Sequence, residues 1–134
     1  MLRVVACVVA LFVGGAVAPG STFCCGVPGK VSCGSPDFTQ MSFAMHEGAG
    51  ALWTTTDFST TLDGTKTVCK GEAVKVTGKD VAFPNIAKKT DCVGKMVTGT
   101  GALPSDLKVT YDSAAKTLTV DIDSQGLTVL MKEC

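Results

Sequence analysis

Two adjacent cysteines, Cys24 and Cys25, are the first residues whose type and spacing suggest chemistry, and a third follows at Cys33. Such a group could hold a metal ion, form a redox centre or begin a disulfide framework. Structural zinc sites and thioredoxin-like centres both depend on close pairs of the form C-x-x-C, and the sequence contains none. The pattern therefore favours disulfide bonds, and it predicts neither a metal site nor a cofactor.

The cysteine count supports the same interpretation. Cys7 lies in an N-terminal apolar segment, and the remaining cysteines form an even set: Cys24, Cys25, Cys33, Cys69, Cys92 and Cys134. An even set in an exported domain indicates paired cysteines, although sequence alone does not choose the pairing. Successive side chains of an extended segment point to opposite faces, so Cys24 and Cys25 are expected to reach different partners. For Cys134 we expect a distant partner, either Cys92 or an N-terminal cysteine.

Groups that could support catalysis are sparse. The chain has one histidine, His46, which lies next to Glu47, but no spacing places a nucleophile or a metal beside it. The stretch "DIDSQG" resembles the start of a calcium loop, yet Gln125 and Lys132 occupy positions where that loop needs oxygen ligands. We therefore expect a turn here, and a protein that is not an enzyme.

The first twenty residues have the pattern of a secretory signal peptide. Arg3 precedes an apolar run that ends in small residues, with possible cleavage after Ala18 or Gly20. The run is too short for a stable membrane span. We expect residues 1–20 to be removed, and residues 21–134 to form a single disulfide-rich domain that is secreted and extracellular.

The charge composition argues against nucleic acid as a partner. Lysine plus arginine and aspartate plus glutamate each total 12, for a formal net charge of +0, and the only arginine is Arg3. Binding to phosphate backbones requires a dense cationic face, usually with arginine. The expected partners are therefore an apolar small molecule or an extracellular protein. The oligomeric state stays open.

The last third of the sequence has the periodicity of β-strands. The segments "LKVTYD", "KTLTVDID" and "LTVLMK" alternate apolar and polar residues, and short turn-forming links separate them. Alternation with period two, joined by such links, is typical of an antiparallel meander. Between Thr65 and Phe83, valine, threonine and glycine indicate further short strands.

Two segments are less clear. Residues 35–58 fit either a helix, which Ser35 would cap and Gly48 would end, or a β-hairpin, which the threonines and phenylalanines favour. "CVGKMVTGT", beginning at Cys92, is a weaker strand candidate. The predicted fold is all-β, a small disulfide-bonded antiparallel barrel or sandwich of about eight short strands.

Two functions remain in competition. In the first, the β-fold carries an apolar small molecule or lipid in a cavity bounded by Met41, Met45 and Trp53, although methionines also fill gaps in ordinary cores. In the second, the protein is an interaction module, such as an effector, surface component or protease inhibitor. It would act through the loop 26–36, which could present Lys30 to a partner's acidic pocket.

Overall fold

The computed structural model describes residues 21–26, 31–35 and 38–134. The expected signal peptide and Lys30 lie outside these ranges. Nine strands and one α-helix occur in the order β1 (Thr22–Cys25), β2 (Phe38–Glu47), β3 (Trp53–Leu62), β4 (Thr65–Ala73), β5 (Lys75–Thr77), β6 (Asp80–Ala82), α1 (Cys92–Gly99), β7 (Leu107–Asp112), β8 (Thr117–Ile122) and β9 (Leu127–Glu133). The expectation of an all-β antiparallel fold with short strands is therefore confirmed.

The ambiguous segment forms the hairpin β2–β3. Met41, Phe43 and Met45 alternate with more exposed residues and point into the core, where Phe58 lies directly opposite Phe43. The ring centroids of Phe43 and Phe58 are 4.7 Å apart. The alternation of apolar and polar residues, rather than the helix-like caps, decided the structure because one face of the hairpin is buried.

The C-terminal meander β7–β8–β9 is also confirmed. Its inward positions are buried and line the core, namely Val109, Tyr111, Leu118, Val120, Ile122, Val129 and Met131. The β8–β9 connection is a short 3₁₀ turn that ends at Gly126, whose φ of 62° suits glycine. The calcium-like stretch therefore forms a hairpin turn.

The strands form one nine-stranded sheet that nearly closes into a barrel. The strand order is β4-β3-β2-β1-β9-β8-β7-β6-β5, and the pairs are antiparallel. The two ends of this order, β4 and β5, follow each other in the chain through Val74, whose N–H donates to the Thr54 carbonyl (3.0 Å). The chain therefore passes directly from β4, which pairs with β3, to β5, which pairs with β6. This connection places the two edges of the sheet next to each other.

The segment beginning at Cys92 was expected to be a strand, and this prediction was wrong. It is α1, capped by Asp91, whose Oδ2 accepts a hydrogen bond from the Gly94 N–H (2.8 Å). Val93, Met96 and Val97 share one face and are buried in the core. Helical spacing of these three residues, with an aspartate at the N-cap, was the overlooked signal. In the described ranges, no helix has the length and apolarity to cross a bilayer.

Three disulfide bonds join the cysteines. Cys24 bonds Cys134 and so connects β1 to the residue after β9, whereas Cys25 bonds Cys33 within the N-terminal loop. The third bond, Cys69–Cys92, attaches α1 to β4. The adjacent cysteines do reach different partners, and Cys134 has the distant N-terminal partner that was expected.

Candidate functional site

Met41, Met45 and Trp53 lie together in the barrel interior, each at most 1% exposed. The Trp53 ring contacts Tyr111 and Phe23 edge-to-face, at centroid distances of 4.9 and 5.7 Å. The Phe23 ring also packs edge-to-face against Tyr111, at a centroid distance of 5.6 Å. Such dense packing is what core filling requires, and the ligand role of these residues stays a prediction.

A groove opens instead between β6 and β7. These strands pair at two positions, Asp80 with Thr110 and Val81 with Val109, before they separate. Beyond that point lies the cleft that we call the β6–β7 groove, with a volume of about 300 Å³. Its apolar lining comes from Val81, Phe83, Ile86, Pro104, Leu107 and Val109.

Two turns explain why the ladder stops there. Continued in the same register, the ladder would reach Phe83 and Leu107 two positions further on, but the Phe83 carbonyl accepts a hydrogen bond from the Ile86 N–H (3.1 Å). On the other strand, the Leu107 N–H donates to the Pro104 carbonyl. Because local turns occupy these backbone groups, the strands diverge and leave apolar side chains along an open slot.

The rim of the β6–β7 groove is held in place. Asp106 Oδ2 accepts hydrogen bonds from the Leu103 N–H (2.9 Å) and the Ser124 hydroxyl (2.8 Å). Polar lining comes from Asp80, Ser105 and Lys108. An apolar floor with a few fixed polar groups at its edge is the usual construction of a small-molecule site.

His46 does acquire a partner, although not the neighbouring Glu47. Its Nε2 lies 3.0 Å from Asp57 Oδ2 across β2 and β3, with the two side chains 51% and 41% exposed. The Gly71 N–H donates to Asp57 Oδ1 (2.8 Å). The pKa of Asp57 is lowered, most strongly by this backbone hydrogen bond and next by the contact with His46. The pair is an exposed cross-strand link.

Ser42 lies on the same strand as His46, but it does not serve as a nucleophile for the histidine. Its hydroxyl lies 3.2 Å from the Ser59 hydroxyl, one strand across. The structure therefore brings His46 to a carboxylate and Ser42 to a second serine. This arrangement gives the histidine an orienting group but does not build the base–nucleophile pair that acyl transfer needs.

Two acidic residues, Glu72 and Asp91, meet where α1 begins. Burial raises the pKa of Glu72 to about 7, and a hydrogen bond to Asp91 adds to the effect. The N–H groups of Val93 and Cys92 bond Glu72 and act in the opposite direction. Sequence reasoning missed this pair because its members lie on different elements, which the Cys69–Cys92 bond holds together.

The N-terminal loop is braced at its base. Besides the Cys25–Cys33 bond, the Gly26 N–H donates to the Val31 carbonyl (2.8 Å). Gly26 has a φ of 73°, and a Cβ there would collide with the carbonyl of Thr39. The loop base is thus fixed close to β2.

The fold is that of a disulfide-bonded, nearly closed antiparallel β-sheet of barrel or sandwich type, with one packed α-helix and an apolar groove in its wall. Comparison with protein-family models, curated proteins and solved structures found no match for this chain. Within the described ranges, no group of three or more His, Cys, Asp or Glu side chains is arranged to hold a metal ion.

Proposed function

We propose that this chain is a small, secreted, non-enzymatic protein that binds an apolar small molecule or lipid chain in the β6–β7 groove. The observation that carries the proposal is the early end of the β6–β7 ladder, which leaves a slot with an apolar floor. Its volume of about 300 Å³ is at the lower end of the range for ligand pockets. A small ring system or part of an acyl chain fits such a space.

The polar groups of the groove suit a ligand with one polar end. Lys108 and Ser105 lie at the edge, whereas Phe83 and Val109 are buried. An apolar ligand would cover side chains that the diverging strands leave partly open to water, and the release of that water favours binding. The turns at Phe83 and Pro104 exist without a ligand, so little ordering entropy opposes binding.

A neutral fluorescent probe, N-phenyl-1-naphthylamine, tests the site. The protein secreted from a eukaryotic host is titrated beside the variant Ser105→Phe, whose ring would fill the groove from its exposed rim. We expect saturable binding by the parent and at least about tenfold weaker binding by the variant, since the lost contact area exceeds that of one or two methylenes.

The matched control is Ser113→Phe, at an exposed turn position away from the groove. It should bind the probe as the parent does. If neither variant weakens binding of the probe, the groove is not the binding site. The interior around Met41, Met45 and Trp53 then becomes the next region to test. If the parent does not bind and native mass spectrometry finds no carried small molecule, the proposed function is wrong.

The braced loop favours a second candidate function, that of a protein-interaction module. Its base is closed by Cys25–Cys33 and by the Gly26–Val31 hydrogen bond, and such bracing lowers the entropy cost of binding. In this proposal Lys30 enters a trypsin-like pocket. Inhibition of trypsin by the parent that is lost in Lys30→Ala but kept in Lys116→Ala would support it. A parent that does not inhibit trypsin would exclude the inhibitor.

A further inference from the structure

A second cleft, on the outer face of the C-terminal meander, differs in character from the β6–β7 groove. It has a volume of about 630 Å³. We call it the outer cleft, and its lining includes Lys79, Thr110, Asp112, Thr117, Thr119 and Leu130. Strand register places Thr110 opposite Thr119, Thr119 opposite Leu130, and Asp112 opposite Thr117. The lining residues are therefore fixed by regular pairing of β7, β8 and β9.

Thr117 is the unusual residue of this cleft, because its side chain is polar and the residue is only 9% exposed. The other buried threonines have partners: Thr56 donates to the Ala44 carbonyl (3.1 Å) and Thr60 to the Gln40 carbonyl (3.0 Å). The Thr117 hydroxyl has no hydrogen-bond partner among residues 21–26, 31–35 and 38–134. A buried residue whose polar side chain has no protein partner is rare, and it requires an explanation.

Other polar groups that line the cleft are also free to form hydrogen bonds with a ligand. The hydroxyls of Thr110 and Thr119, both half-buried, have no partner in the described part of the chain, and no described carboxylate pairs with Lys79. Asp112 is held in place because its Oδ1 accepts hydrogen bonds from the Ala114 and Ala115 N–H groups (3.0 and 3.1 Å). The cleft thus offers both donors and acceptors on rigid strands.

An aliphatic surface lies among these polar groups. Leu130, on β9, is 44% exposed and lines the cleft beside Thr119. Lys79 and Asp112 carry opposite charges. Together they give the cleft no net charge that would favour an anion or a cation. The lining therefore suits a neutral molecule with many hydroxyl groups and a C–H face.

We propose that the outer cleft binds a neutral saccharide. A sugar ring would place its C–H face on Leu130 and exchange hydrogen bonds with Thr117 and Thr119, while Asp112 would accept from a sugar hydroxyl. The Thr117 hydroxyl then acquires the partner that the described residues do not supply. This site is separate from the β6–β7 groove and does not depend on the function proposed for it.

The test is an NMR titration of the isotopically labelled protein with neutral tetrasaccharides of glucose, mannose and N-acetylglucosamine. We expect at least one of them to give saturable shifts of the Thr110, Thr117 and Thr119 amides. The near-isosteric change Thr117→Val should weaken that binding at least tenfold without lowering the midpoint of urea unfolding. Thr128→Val is the matched control because Thr128 lies outside the cleft and donates to Asp121 Oδ1 (2.7 Å). It should bind the sugar as the parent does.

Three outcomes would overturn the proposal. The first is a parent that shows no saturable shifts with any of the three sugars. The second is binding that Thr117→Val leaves unchanged. The third is a Thr117→Val variant that is destabilised as much as Thr60→Val, which loses a known hydrogen bond to Gln40. That result would mean that the protein itself satisfies the Thr117 hydroxyl.

Discussion

Glu72 and Asp91 meet at the N-terminus of α1, where backbone N–H groups would ordinarily favour charged carboxylates. The Gly94 N–H does bond Asp91. Glu72, however, is partly buried and faces a second acid, and these effects raise its pKa to about 7. At neutral pH Glu72 is therefore partly protonated, and its contact with Asp91 at the start of α1 depends on pH.

The sign of this dependence follows from proton binding. The ordinary pKa of the Glu72 carboxyl is 4.5, and in the folded protein it is about 7. Between these values the folded state holds more protons than the unfolded state, so the free energy of unfolding falls as pH rises. We expect urea unfolding to show this loss from about pH 4.5 to 7, with a smaller slope in Glu72→Gln. Glu47→Gln, at an exposed position, should keep the parent's slope, and an unchanged slope in Glu72→Gln would contradict the assignment.

At the level of residues, sequence reasoning predicted what depends on residue type and count. The six cysteines outside the N-terminal segment were expected to pair, and Cys24 and Cys25 were expected to diverge. The raised pKa of Glu72, and a Thr117 hydroxyl without a partner among the described residues, could not be predicted, because each depends on burial and on residues of other elements.

At the level of elements, periodicity predicted the strands well where one face is buried, as in β2, β3, β7 and β8. It failed at α1, where valine, threonine and glycine have low helix propensity. Packing decided the outcome: Val93 and Val97 are fully buried, and the Cys69–Cys92 bond holds the first turn against β4. The β6–β7 groove was equally hidden from the sequence, since it depends on where a ladder ends rather than on which residues form strands.

Two glycines of α1 test how closely the helix packs. A Cβ on Gly94 would collide with the backbone carbonyl oxygen of Ile86, whereas a Cβ on Gly99 would meet nothing within 4 Å. Because a backbone atom cannot move aside like a flexible side chain, we expect Gly94→Ala to lower the free energy of unfolding by about 1–3 kcal/mol. The matched variant Gly99→Ala should raise it by up to about 1 kcal/mol through helix propensity.

Urea unfolding of both glycine variants provides the measurement, with the slope m checked for a change in the surface exposed. If Gly94→Ala is as stable as Gly99→Ala, then α1 does not rest on the segment around Ile86. In that case the helix would not help to form the turn that ends the β6–β7 ladder.

At the level of the whole molecule, the first and last strands of the chain, β1 and β9, are neighbours inside the sheet and join its two halves. Strand β1 pairs with β9 at only two positions, Phe23 with Glu133 and Cys24 with Lys132. The Cys24–Cys134 bond lies beside this short ladder. The sequence predicted a distant partner for Cys134, but it could not show that this partner lies across the β1–β9 seam, because strand order is a property of the whole sheet.

The three disulfides should therefore contribute unequally to stability. They close segments with sequence separations of 110, 23 and 8 residues, for Cys24–Cys134, Cys69–Cys92 and Cys25–Cys33 respectively. Loop-closure entropy predicts losses of about 5, 3.5 and 2.5 kcal/mol when each pair is changed to alanine. Since small domains have a total stability of about 5–15 kcal/mol, the variant without Cys24–Cys134 is expected to be close to unfolding at 25 °C.

Urea unfolding of the three double-alanine variants measures this order, with denatured masses that confirm the two remaining bonds in each. The Cys25–Cys33 variant serves as the internal control because it removes the pair in which both cysteines are buried while opening the shortest loop, so that lost packing alone would not give the predicted order. Equal losses in all three variants would mean that packing around the sulfurs, rather than constraint of the unfolded chain, is their main contribution. A loss that is largest for Cys24–Cys134 would instead identify the β1–β9 seam as the place where this barrel depends on a covalent bond.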